Sequence, residues 1–277
     1  MARGRKERSD AARWSGATKD MARGRKERSD AARWSGATAR FANILFSGPC
    51  NLRCPDCIGR RLVPRPDNLD RFPLAGLDRF CGLLRRLGVT QVTLTGTNTD
   101  PQLYRHEAAL IAALRARVPG ARLNLHTNGV LALRRIETFN RYDRACISLP
   151  SFEPDTCRRM TGSARVLPLA RILAAARIPV KISTLVTEHN VAEVPSIVAR
   201  CRALGIRRMA LRRRHGDPRR YPLLAGHRPV RRFAGNPVFD VDGIEVTVWD
   251  FGATTLDCLN LLSDGTISGA YLLERAS

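Results

Sequence analysis

The apolar positions of this chain change period again and again. Short runs that read as buried strands alternate with longer stretches whose apolar residues recur at helical spacing. Phe41 to Phe46 reads as a first strand, and a polar, Pro-rich stretch from Arg60 to Asp70 follows soon after. Helical spacing covers Leu74 to Leu87, Gln102 to Val118, Leu131 to Tyr142, Val166 to Ala176 and Ala192 to Leu204. Between them, strand-like runs fall at Val89 to Leu94, Arg122 to Leu125, Ala145 to Leu149, Pro179 to Val186 and Arg208 to Arg212. Alternation at this spacing predicts right-handed βαβ units and a parallel sheet. The fold class is therefore α/β, and six such units suit a partial (β/α)6 barrel better than a closed eight-fold one. Ligands are expected at the carboxyl ends of the strands.

Beyond residue 215 the period drops to two. Val238 to Phe251 alternates around Asp242-Gly243, and Cys258 to Leu273 alternates around Asp264-Gly265. Asp-Gly between alternating residues is a strong hairpin signal. Residues 216–277 are accordingly expected to form a small β-hairpin cap over the open side of a barrel made by residues 41–215.

The first 40 residues stand apart. Met1 to Thr18 recurs letter for letter as Met21 to Thr38, which points to a recent duplication or a scar and not to a repeat fold. Their Arg, Lys, Ser, Gly and Ala can bury little, so residues 1–40 read as a disordered basic arm. The whole chain of 277 residues carries a formal charge of +22, of which the arm supplies +7 and the body +15. The cations are nearly all Arg; Lys181 is the sole Lys after residue 40. The dense run from Arg207 to Arg214 could attract an anion, but no aromatic residues interleave it, which argues against nucleic acid as a partner. Eight cysteines, no signal peptide and no apolar run near 18 residues predict a reduced, cytoplasmic protein away from any membrane.

The candidate chemistry sits just after the first strand, in Cys50-Asn51-Leu52-Arg53-Cys54-Pro55-Asp56-Cys57. Three thiolates at this spacing can ligate three irons of a 4Fe–4S cube and leave the fourth iron open to another ligand. A zinc site would need a fourth ligand and usually a second Cys/His pair, and none lies nearby. The motif resembles that of the radical S-adenosylmethionine (SAM) superfamily, near the molybdenum-cofactor GTP cyclases and the peptide-modifying branch with extra cluster-binding domains. The resemblance implies that Cys50, Cys54 and Cys57 hold the cluster, that SAM binds the open iron, and that reductive cleavage yields a 5′-deoxyadenosyl radical. It also implies an electron donor such as flavodoxin or ferredoxin.

Further segments carry the resemblance. Thr95-Gly96-Thr97-Asn98-Thr99-Asp100-Pro101 occupies the place of the family's Gly-Gly-Glu-Pro, two residues longer and with Asp for Glu. Gly96, Thr97 and Asp100 are thus expected to hold SAM, although Asp100 before Pro101 would equally well cap the next helix. Thr127 and Asn128 of His126-Thr127-Asn128-Gly129 match the family's Thr-Asn-Gly, and Ser148 matches a Ser on the fourth strand. Asp56 departs from the pattern, since most relatives place an aromatic residue there. Lys181 matches a substrate-binding Lys of the GTP cyclases, with Arg212 and Arg214 as further candidates for an anionic substrate. The tail resembles segments that carry a second cluster, but no Cys follows Cys258, which leaves one cluster and makes Cys258 a candidate hydrogen-atom donor. Cys81, Cys146 and Cys201 read as core residues, and Cys157 falls in a helix-like segment with no evident partner.

The expected reaction is hydrogen-atom abstraction from a peptide or natural-product precursor, with an anionic nucleotide-like molecule as the alternative. A non-catalytic iron–sulfur sensor or nucleic-acid-binding protein is the rival class. Matching segments after successive strands argue against it, because a sensor needs none of them.

Overall fold

The computed structural model describes residues 41–269, so the basic arm predicted for residues 1–40 and the end of the second hairpin lie outside the described residues. Within them the expected alternation is present. Strands β1 (Phe41–Phe46), β2 (Gln91–Gly96), β3 (Arg122–Thr127), β4 (Arg144–Ser148), β5 (Val180–Val186) and β6 (Arg208–Arg213) form the parallel series. Helices α1 (Leu77–Arg86), α2 (Glu107–Arg117), α3 (Ile136–Phe139), α4 (Pro154–Thr161), α5 (Leu169–Ala175) and α6 (Val194–Ala203) lie between them.

Two boundaries moved for reasons the backbone makes plain. Val89 was expected to begin the second strand, but its N–H donates to Leu84 O at 3.0 Å and so finishes the end of α1. The stretch from Gln102 does not run straight into a helix either. It makes one short turn, Pro101–Leu103, and Tyr104 then turns extended with its ring 4.8 Å from that of Phe46. That aromatic contact fixes where α2 can start.

The strands are hydrogen-bonded in the order β1-β2-β3-β4-β5-β6 without a skip. Right-handed crossovers between successive neighbours put every connecting helix on one face. Side chains alternate across that sheet. Ala42, Ile44 and Phe46 of β1, Leu123 and Leu125 of β3, and Met209 and Leu211 of β6 are buried on the helix face. The register places Asn43, Thr93, Asn124, His126, Cys146 and Lys181 on the opposite face. A parallel sheet normally buries both faces in apolar residues; here the helix-free face is polar.

The two hairpins form as expected around their Asp-Gly turns. β8 (Asn236–Val241) and β9 (Ile244–Trp249) join through Asp242 and Gly243, both at positive φ, as a two-residue hairpin turn requires. Their position is different from the expectation of a lid laid across the barrel. β9 pairs in parallel with β6, and β7 (Arg231–Phe233) lies outside β8, while β10 (Cys258–Leu261) pairs in parallel with β1 and carries β11 (Ile267–Ser268). The hairpins thus extend the sheet at both edges, β11 and β7, and no pairing closes it among the described residues. The reason is backbone pairing: β1 and β6 would otherwise present unpaired edges, and the hairpin strands satisfy them. No helix among the described residues is long and apolar enough to cross a membrane.

Candidate functional site at the carboxyl rim

The loop after β1 carries the three cysteines, and it is pinned to the exits of four other strands. Thr99 Oγ1 donates to Pro49 O at 2.5 Å, and Asn98 Oδ1 accepts from Ser47 Oγ at 3.1 Å and Gly48 N at 3.2 Å, both from the β2 exit. Asn128 Nδ2, after β3, donates to Asn51 Oδ1 at 2.7 Å. Arg53 N donates to Thr161 O at 2.9 Å, at the end of α4 after β4. Beyond β6, His215 O accepts from Arg61 Nη1 at 2.8 Å. Polar tethers from so many elements hold a loop that has no ladder of its own.

Cys50 is exposed and Cys54 and Cys57 are half-buried, all as free thiols. Burial, followed by the neighbouring thiolates of Cys57 and Cys50, pushes the Cys54 thiol up to about 11. Burial also raises Cys50. Among the described residues no three His, Cys, Asp or Glu side chains converge as ligands to a single ion. A cubane asks for something else, three thiolates that each reach a separate iron, and a donor set of thiols alone on a reachable rim fits that demand.

The β2 exit loop is built around Gly96. A Cβ there would sit 1.7 Å from Thr99 O, so the close approach that Gly96 permits is made by its own loop. Thr97 Oγ1 donates to Phe46 O at 2.9 Å, tying the loop back to β1. The carboxylate of Asp100 is turned inward and only 2% of the residue is exposed. It accepts from Gln102 N at 2.9 Å, from Thr127 Oγ1 at 2.9 Å and from Asn128 N at 2.6 Å. Burial raises the Asp100 carboxyl, and these hydrogen bonds oppose the rise. The helix-capping reading of Asp100 is therefore present in the structure, and the same carboxylate fixes the Thr127-Asn128 turn. Ser148 ends β4 half-buried on the helix-free face.

That face also gathers cations. His126 on β3 registers with Cys146 on β4, and Cys146 registers with Lys181 on β5. Arg212 on β6 lies on the same face, two positions from Ala210, the partner of Ser183. Crowding by the surrounding residues, then the positive charges of Lys181 and Arg212, lower His126 to about 4, although its side chain remains open to solvent on this face. A neutral imidazole beside two cations is the result. Burial lowers Lys181, with Cys146 and Glu245 opposing the fall. The sequence reading quoted His126 only as part of a turn motif. Its alternation with Thr127 on a half-polar strand was the signal that could have placed it here.

Two expected site residues lie elsewhere. β6 ends at Arg213, so Arg214 falls beyond the strand and does not share a strand face with Arg212. Its guanidinium instead pairs with Asp56 at 2.7 Å and Asp217 at 3.0 Å. Cys258 is 3% exposed and registers with Phe41, at the amino end of β1. The strand's rise of about 3.3 Å per residue then puts it a full strand length from the cysteine loop, too far for a hydrogen-atom donor at the rim. The buried-core reading of Cys258 is the one the structure supports.

The model of the Radical SAM superfamily matches residues 44–201, more than half of the chain. The chain belongs to the radical SAM superfamily. This is a superfamily of enzymes whose cofactors are a 4Fe–4S cluster and SAM, and the cysteine loop, Gly96, Asp100, Thr127, Asn128, Ser148 and Lys181 fall within the matched residues, whereas Arg212 and Arg214 lie beyond them. Among curated proteins the chain is similar to a GTP 3′,8-cyclase of Mycolicibacterium smegmatis, 33% identical over 145 residues, which cover 49% of this chain and 39% of that protein. It is also similar to a GTP 3′,8-cyclase of Streptomyces coelicolor, 31% identical over 161 residues, covering 54% and 46%. The matched regions span less than half the length of these curated relatives. Among solved structures, Streptococcus suis SuiB superposes with a TM-score of 0.56 at 12% identity, over 88% of this chain and 64% of that one. SuiB bound to its precursor peptide SuiA gives 0.52 at 18% identity, over 69% and 43%. At these identities the likeness is one of fold.

Proposed function

We propose that this radical SAM enzyme abstracts a hydrogen atom from an anionic, nucleotide-like substrate bound on the helix-free face of the sheet. The observation that carries the reading is the set His126, Lys181 and Arg212, two cations and a neutral imidazole on the same polar face of three strands, His126 and Arg212 near the carboxyl ends of β3 and β6 and Lys181 near the amino end of β5. The names of the curated relatives favour a nucleotide over the peptide or natural-product precursor that the hairpin tail had suggested.

Each part of the rim then has a task. Cys50, Cys54 and Cys57 would hold the cluster; together with SAM it supplies the primary radical. The Gly96–Thr97 backbone and the Thr127-Asn128 turn would line the SAM pocket, with Ser148 beside them. Asp100 would work from behind, holding that turn through Thr127 Oγ1 and Asn128 N while it caps the segment after it through Gln102 N. Lys181 and Arg212 would neutralise the substrate's charge and fix its reacting carbon towards the rim, an arrangement whose value is orientation before reaction. His126, uncharged, could accept as well as donate a hydrogen bond.

The test is substrate-dependent formation of 5′-deoxyadenosine under anaerobic reducing conditions, with purine nucleoside triphosphates in one arm and unmodified peptides in the other. Stimulation by a nucleotide is expected. In that case Lys181→Ala and Arg212→Ala should each weaken its binding by about 1.5–3 kcal/mol, the worth of a hydrogen bond to a charged group. Stimulation by peptides alone, with both variants unaffected, would return the substrate to the peptide class.

A further inference from the structure

The pair Asp56–Arg214 is left over once cluster, SAM and substrate residues have been assigned. Asp56 lies between two of the cysteines assigned to the cluster, Cys54 and Cys57. A carboxylate at that point is chemically awkward. Negative charge beside an iron–sulfur cluster opposes the arrival of an electron and lowers its potential.

The structure answers the charge. Arg214 Nη1 donates to Asp56 Oδ1 at 2.7 Å, with the two side chains 26% and 23% exposed. Arg214 Nε donates to Asp217 Oδ2 at 3.0 Å, so the guanidinium is held from both sides. Asp217, its side chain 4% exposed, is in turn gripped by Arg219 at 2.8 Å, and Arg219 reaches Glu188 after β5 at 3.0 Å. The hydrogen bonds from Arg219 hold the Asp217 carboxyl well below the usual carboxylate range. A second arm runs the other way: Arg61, from the cysteine loop, donates to His215 O at 2.8 Å. Gly216 makes room for it, since a Cβ there would lie 2.5 Å from Arg61 Nη1. One guanidinium from each loop thus crosses to the other. The clasp ties the Cys54–Cys57 turn to the segment that follows β6, and a bifurcated, partly buried guanidinium gives it a fixed geometry that a lone surface pair would lack.

We propose that Asp56 and Arg214 are positioning residues for the cluster: their ion pair anchors the Cys54–Cys57 turn and cancels the Asp56 charge next to the cluster. The inference rests on membership of the superfamily and not on the substrate. Its failure would leave the proposed function standing, and the reverse also holds.

Redox titration of the reconstituted cluster, followed by electron paramagnetic resonance, tests it in four proteins. Asp56→Asn removes a negative charge and is expected to raise the midpoint potential. Arg214→Gln unmasks that charge and is expected to lower it. The double variant should return towards the parent value, and Arg214→Lys, which keeps the charge, should shift it least among the single variants. A purely structural contact would not produce opposite signs from the two ends of one pair. Unchanged potentials, or shifts of the same sign in Asp56→Asn and Arg214→Gln, would overturn the proposal. Should Arg214→Gln fail to load iron, the comparison of Asp56→Asn with Arg214→Lys decides: an upward shift in the first and little in the second supports the pair, and no shift in the first overturns it.

Discussion

Replacing Cys54 with alanine is expected to leave a folded chain that retains only a small part of the roughly four irons and four sulfides of one cubane. Cys50→Ala and Cys57→Ala should behave alike, because in the proposed site each thiolate would serve a different iron and none could stand in for another. The loss should not extend to Cys81→Ala or Cys201→Ala. Those thiols are 1% and 0% exposed on the helix face, and burial pushes them to about 11 and about 12, respectively. Iron and sulfide analysis with the visible absorption band of the cluster measures the difference. Loading of the parent protein should also be pH-dependent. Cys54 stands at about 11 through burial and the neighbouring thiols, so bound iron must displace protons, and apparent affinity should rise with pH. A second equivalent of cubane per chain would contradict the single-cluster reading.

The other large effect is expected at Asp100. Alanine there would strand the buried N–H groups of Gln102 and Asn128 and release Thr127 Oγ1. Each unsatisfied buried group costs roughly 1–3 kcal/mol, so Asp100→Ala should destabilise the fold by about 2–5 kcal/mol and loosen the turn proposed to line the SAM pocket. Asp100→Asn keeps one acceptor oxygen and should recover part of both losses. Thermal unfolding and SAM binding, measured on the same samples, separate the roles. If Asp100→Ala lost SAM affinity with unchanged stability, the carboxylate would be contacting SAM directly after all.

Much of this architecture could be read from the period of the apolar residues. Parallel strands with helices on one face leave a strong signature, and the first strand, Phe41–Phe46, appears with the bounds its pattern predicts. The cysteine spacing was equally legible, since it is local. What could not be read was anything decided by register or by contact between distant segments. The Asp-Gly turns predicted hairpins, but nothing in a hairpin's own pattern says which strand edge it will join; β9 found β6 and β10 found β1 through backbone pairing. Arg214 looked like a continuation of the strand carrying Arg212. The chain turns at Arg213, and a partner 158 positions away, Asp56, claims its guanidinium. Asp100 allowed capping and SAM binding together in sequence, and what its pattern did not give was the inward turn of its side chain onto Gln102 N, Thr127 and Asn128 N. Lys181 lies on the strand that the pattern predicted, and its face follows from alternation along that regular strand.

The central claim is that this chain, with its cluster reduced, cleaves SAM. The most direct measurement is chromatographic quantitation of 5′-deoxyadenosine after anaerobic reconstitution, with dithionite and SAM, in the parent protein and in Cys54→Ala. The account predicts slow formation by the parent without substrate, acceleration when an anionic nucleotide substrate is supplied, and none above background in Cys54→Ala. A fully loaded cluster that binds SAM yet yields no 5′-deoxyadenosine under reduction would contradict it.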